Sequence, residues 1–193
     1  MEFLTTLWLP ILLSAVFVFI VSSIIHMVLG YHASDYKQVP NEDQVMDKLR
    51  ELNIPPGHYA VPKPNSMKDF NSPEFQAKMA KGPALIMNIR KPGGGMGSSL
   101  MQWFAFLLLV NIFVVYVASH TINPGADYLT VHRLVGCVAF MGYGLALFQD
   151  SIWGGKSWGA TWKMLFDALI YGLVTGGTFG WLKKKKFMHA AFI

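Results

Sequence analysis

The chain has 193 residues, of which 53% are hydrophobic and 14% aromatic, while only 14% are charged, against a usual charged share of about 25%. Its apolar residues fall into long runs instead of recurring at helix or strand period, which argues against a water-soluble domain and for lipid as the main solvent. The net charge of +5 then finds its natural counterpart in anionic lipid headgroups, not in nucleic acid.

Residues 3–34 contain no Asp, Glu, Lys or Arg, a run longer than the roughly 20 apolar residues needed to cross a bilayer core. A first spanning helix is expected near 7–30. The rival reading is a secretory signal peptide, whose apolar part is about 7 to 15 residues long after a basic start. This run is longer and follows Glu2, so an uncleaved anchor is expected.

Residues 35–91 hold most of the acidic side chains and read as a small water-exposed α/β insert, extended to residue 97 by a Gly-rich linker. Asn41 followed by Gln44 resembles a capping box, after which Val45, Met46, Leu49 and Leu52 recur on one helical face. The PPG at 55–57 breaks that helix; HYAV (58–61) and ALIMNI (84–89) are candidate strands. Ser72 with Pro73 begins a second short helix that ends near Gly82. So short a segment buries little core alone, and it is expected to rest against the membrane domain or a partner. The PGGGMGSS at 92–99 lacks the GK[ST] ending of a phosphate loop and is read as a flexible linker.

A second span is expected at about 100–120 and a third near 131–149, with Arg133 and Asp150 at the ends of the third. Asn111, mid-span, is read as an interhelical hydrogen-bonding residue. The fourth span contains DALIYGLVTGGTFGWLKKKK, and Trp162, five residues before that stretch, lies 19 residues from Trp181. At helical rise that is about 28 Å, which matches a hydrocarbon core of about 30 Å. The organisation is thus an all-α membrane protein of four transmembrane helices with a small α/β insert: a first helix in 1–34, the insert and linker in 35–97, a three-helix region in 98–186 and a tail in 187–193. Both termini then lie on one side. Among the basic residues near the spans, nine sit on the insert side and five, Arg133 and the lysines at 183–186, on the other, so the insert is expected to be cytoplasmic.

Ala168, Gly172, Gly176 and Gly180 repeat every four residues and leave one face of the last helix without side chains, open to close helix approach. Packing within the chain is the ordinary reading; a homodimer seam or another subunit is the alternative. Lys163, Asp167, Tyr171 and Thr175 form a polar stripe on the same helix, and Asp150 ends the preceding span on the same side. Lys163 can pair with Asp167 one turn away, so the stripe is either a structural lock or a proton or ion position. His120 and His132 close the ends of neighbouring spans and raise haem b as a cofactor; interfacial histidines are the plainer reading, also for His26 and His32 at the opposite side. No histidine has a metal-ligand spacing such as HExxH. The single cysteine, Cys137, excludes an internal disulfide and is read as helix packing.

SIWGGKSWGATWKMLFDALIYGLVTGGTFGWL, with SSIIHMVLGYHASDY and NEDQVMDKL, resembles a family of uncharacterised bacterial four-span integral membrane proteins over most of the chain. The resemblance implies the four-span fold and a bacterial inner membrane, and it supplies no catalytic residue. The lysine run after GTFGWL departs from the pattern. Three functional expectations follow. The first is a non-catalytic accessory or scaffolding subunit that binds other membrane subunits or a second copy of itself through the small-residue face and the insert. The second is a small homodimeric transporter or proton-conducting protein using Asp150, Lys163, Asp167, Tyr171 and Thr175. The third is a haem-binding redox subunit.

Overall fold

The computed structural model describes residues 7–184 except Pro124; the expected tail at 187–193, and Lys185 and Lys186 of the lysine run, lie outside the described residues. Helix α1 (Trp8–Ile24) runs on into a π turn (Ile25–Leu29). Gly30, at φ +64°, ends it with a left-handed residue that costs glycine little, and the chain continues as a 3₁₀ segment (Tyr31–Asp35). Then come α2 (Glu42–Glu51), β1 (Gly57–Val61), α3 (Pro73–Lys81), β2 (Leu85–Ile89), α4 (Met96–Thr121), α5 (Tyr128–Gly144), α6 (Phe148–Ile152) and α7 (Trp158–Lys184). Among the described residues, those before residue 37 and after residue 95 form one compact unit and residues 37–95 a second.

Four stretches among the described residues are long and apolar enough to cross a bilayer: Trp8–Leu29, Met96–Thr121, Tyr128–Ile152 and Trp158–Leu182. The second begins inside the expected linker, because after the positive-φ Gly93 the small residues Gly97, Ser98 and Ser99 continue helically into the apolar run. The third is not one straight helix. Its chain departs from α geometry at Gly144 (φ −121°) and passes through a 3₁₀ turn (Leu145–Leu147) before α6, at the point where a Cβ on Gly144 would stand 2.9 Å from the Cβ of Ala168. The start of α5 is capped by Asp127, whose side chain accepts the N–H of Thr130 at 2.9 Å.

α7 is the least apolar of the four stretches and the most enclosed, with 61% of its window buried against 28% to 33% for the others. Its neighbours are helices on most sides, so it carries polar residues that an outward-facing helix could not. The small-residue face lies directly on α5. A Cβ added at Gly172 would meet the Gly136 carbonyl oxygen at 2.8 Å, one at Gly176 the His132 carbonyl oxygen at 2.6 Å, and one at Gly180 the Tyr128 ring at 2.6 Å. At Gly172 and Gly176 the neighbour is backbone, so a side chain there would push the two helices apart, and at Gly180 it is the Tyr128 ring. Cys137, read from the sequence as helix packing, is instead exposed. Across the bundle the outward side chains are apolar, among them Trp8, Ile20, Leu109, Phe113 and Leu173, while Ser14, Asn111, Thr161, Asp167, Thr175 and Thr178 are buried.

In the second unit β1 and β2 pair antiparallel, Gly57 opposite Ile89 and Val61 opposite Leu85. α3 has the expected cap, Ser72 Oγ accepting the Phe75 N–H at 3.2 Å with Pro73 in the first turn. The expected capping box of α2 does not form. Asn41 takes a left-handed conformation, φ 54° and ψ 47°, with no side-chain cap, whereas a capping side chain reaches the first turn from an extended backbone. Phe75 is this unit's buried hydrophobic residue among those described; Val45, Met46, Leu49 and Leu52 are exposed.

Candidate functional site

The polar stripe of α7 meets the end of α1. The π turn carries His26, and the left-handed Gly30 folds the 3₁₀ segment back so that Tyr31, His32 and Asp35 face Lys163 and Asp167 on the first turns of α7. Asp167, with only 3% of its side chain exposed, has His32 Nε2 at 2.7 Å and His26 Nε2 at 3.9 Å from Oδ2. Its Oδ1 accepts the Tyr31 hydroxyl. His32 Nδ1 lies 2.6 Å from Asp35 Oδ2. Lys163 Nζ donates to Asp35 Oδ1 at 2.8 Å, to the Tyr31 carbonyl at 2.8 Å and to Ser34 Oγ at 2.7 Å. One turn deeper, the Tyr171 hydroxyl is 3.4 Å from His26 Nε2, and the two imidazoles stack at 4.5 Å. Tyr31 and Lys163 also line a recess of about 390 Å³ with Trp162 and Phe166, which opens beside the group.

Two features of this arrangement carry chemistry. His32 presents both ring nitrogens to carboxylate oxygens, yet a neutral imidazole has one N–H and one lone pair; one of the two contacts therefore needs a positive charge between nitrogen and oxygen. With the imidazoles neutral, Asp35 and Asp167 face a single ammonium, Lys163, and one negative charge is left over. Burial works to raise the Asp35 carboxyl, but the hydrogen bonds from Lys163 and His32 outweigh it and hold the group below its usual range. Burial and the bond to Asp167 push the Tyr31 phenol up, which keeps it a hydroxyl donor.

The expected residues divide accordingly. Lys163, Asp167 and Tyr171 belong to the group, but the expected pairing of Lys163 with Asp167 gives way to Asp35 as the lysine's partner, because the folded-back 3₁₀ segment brings three acceptors to Nζ. Asp150 is turned to Lys156, at 3.9 Å, with an exposed side chain. Thr175 is fully buried, next to the Tyr143 hydroxyl. Asn111 Nδ2 donates to the Leu107 carbonyl at 2.8 Å and to Tyr143 Oη at 3.4 Å, tying α4 to α5. His120 is exposed, with Nδ1 2.7 Å from the Tyr116 carbonyl of its own helix; His132 stacks on Tyr128, ring centroids 5.7 Å apart. Ala168, Gly172, Gly176 and Gly180 line the α5 seam.

Sequence reasoning names His26 and His32 only as interfacial histidines, and the gathering of both with Tyr31 and Asp35 around Asp167 escapes it because a π turn, the left-handed Gly30 and a 3₁₀ segment do not keep helical spacing. The one signal available is composition: six residues, 26–35 apart from the apolar ones, supply two His, a Tyr, two small residues and an Asp at the end of an otherwise uncharged span. Comparison of the chain with protein-family models, curated proteins and solved structures gave no match.

Proposed function

We propose that the protein is an integral membrane protein that handles a cation at the group formed by the end of its first span and the start of its last. The observation that carries this reading is His32, held between the carboxylates of Asp35 and Asp167 at 2.6 and 2.7 Å. A negative charge left unbalanced away from water is costly, and a bound proton or metal ion cancels it. Ionisable residues placed in spans commonly mark ion or proton routes, and Tyr171 extends the group toward the bundle interior. The outward apolar and inward polar side chains support lipid as the surroundings.

In proteoliposomes, wild-type protein is expected to pass protons or divalent cations down an imposed gradient, and Asp167→Asn to abolish that flux while folding is retained. Equal flux for both proteins, or none for wild type with either cation, would overturn the reading. A second reading, the accessory subunit, keeps one support, the exposed apolar face of α2. The small-residue face, on which that reading also relied, is occupied by α5.

A further inference from the structure

We infer that His26, His32 and Asp167 form a binding site for a divalent first-row transition metal, with Zn²⁺ as the best fit. The inference rests on the cation reading above and names the cation. One ligand atom each of His26, His32 and Asp167 lies within 4.8 Å of the other two, and Asp167 Oδ2 faces the Nε2 atoms of both imidazoles. Metal–nitrogen and metal–oxygen bonds of about 2.0 to 2.2 Å in a tetrahedron place donor atoms about 3.3 to 3.5 Å apart. The 2.7 Å separation of His32 from Asp167 must open, and the 3.9 Å separation of His26 must close, each by less than about 1 Å. His26, with 48% of its side chain exposed, has room for that adjustment, which turns its Nε2 from the Tyr171 hydroxyl at 3.4 Å and tilts its ring out of the stack with His32.

The surroundings match the second shell of a metal ligand. Asp35 Oδ2 at 2.6 Å from His32 Nδ1 fixes the tautomer with its proton on Nδ1 and turns the Nε2 lone pair toward Asp167, the carboxylate–histidine arrangement that raises ligand basicity. Lys163, whose ammonium would otherwise compete for the carboxylate of Asp167, is drawn off by Asp35, Ser34 and the Tyr31 carbonyl. Tyr31 takes the other oxygen of Asp167 and so leaves Oδ2 as the donor facing the imidazoles. Two imidazoles and a carboxylate suit Zn²⁺ and its neighbours in the first row, not Ca²⁺ or Mg²⁺, which prefer oxygen donors alone. Three protein ligands leave a fourth position open, as in sites that exchange or activate what they hold and unlike closed structural sites.

The test uses full-length protein, purified without a polyhistidine tag, stripped with EDTA and titrated with Co²⁺ in detergent. Saturable visible absorption of tetrahedral Co²⁺, displaced by Zn²⁺, is expected from wild type and lost in His32→Ala and Asp167→Ala. Asp35→Asn, which spares every ligand and guards against a folding defect in the other two, is expected to weaken binding by about 10- to 100-fold. No binding by wild type, or binding that all three variants retain, would overturn the metal assignment. Proton flux that persists in the same preparation and disappears in Asp167→Asn would leave the broader cation reading standing, and loss of both would end both.

Discussion

Asp127 stands at the exposed start of α5, where its carboxylate accepts the backbone N–H of Thr130 at 2.9 Å and the Thr130 hydroxyl at 2.8 Å. These bonds favour the charged form and hold the carboxyl below its ordinary value of 3.8. A depressed carboxyl contributes stability that is fully present above the unfolded-state value and is lost as pH falls through the folded-state value. Asp127→Ala is therefore expected to lower the melting temperature at pH 7, and the gap from wild type to narrow as the pH is taken below 3.8. A gap of constant size down to that acidity would mean that the cap does not act through its charge. The partners of Asp127 lie three residues away and could be read from the sequence as a capping pattern. Those of Asp167 could not, since His32 is 135 residues distant and a backbone turn, not a spacing, brings it there.

The seam between α5 and α7 is where element geometry can be tested most sharply. An added Cβ at Gly176 would stand 2.6 Å from the His132 carbonyl oxygen and 3.2 Å from the Cα of Gly136, whereas the adjacent Gly177 would meet only the Tyr128 hydroxyl, at 4.0 Å. Gly176→Ala is expected to cost about 1 to 3 kcal/mol through overpacking. Gly177→Ala is expected to be neutral or to gain up to about 1 kcal/mol of helix propensity. Thermal unfolding in detergent checks both, and equal melting temperatures for the two variants would show that the seam does not hold the helices this close. The period-four glycines announce the seam because close approach leaves that trace in any sequence. The π turn leaves none: IIHMVL reads as unbroken apolar helix, and the Tyr171 hydroxyl that His26 meets lies 145 residues along the chain. The break after Gly144 is hidden likewise, as the atom that crowds this position belongs to Ala168 on another helix.

The two units of the molecule differ in how they are held together. The bundle was legible because its four long helices are built from apolar runs, and four such runs stand out in composition alone. The smaller unit has one buried hydrophobic residue, Phe75, and leaves Val45, Met46, Leu49 and Leu52 exposed along α2, a face that fits the accessory-subunit reading. If a partner covers it, Leu49→Asp is expected to reduce the native size of the gently solubilised protein while leaving the chain folded; an unchanged size would remove that support. The proposed cation site joins residues from the first and last of the four long helices, and the most direct test is whether those residues act on each other. A double-mutant cycle of His32→Gln and Asp167→Asn, read as thermal stability of the purified protein, measures this. A coupling of about 0.5 to 3 kcal/mol is expected for residues in direct contact, whereas additivity within about 0.3 to 0.5 kcal/mol would contradict a shared site.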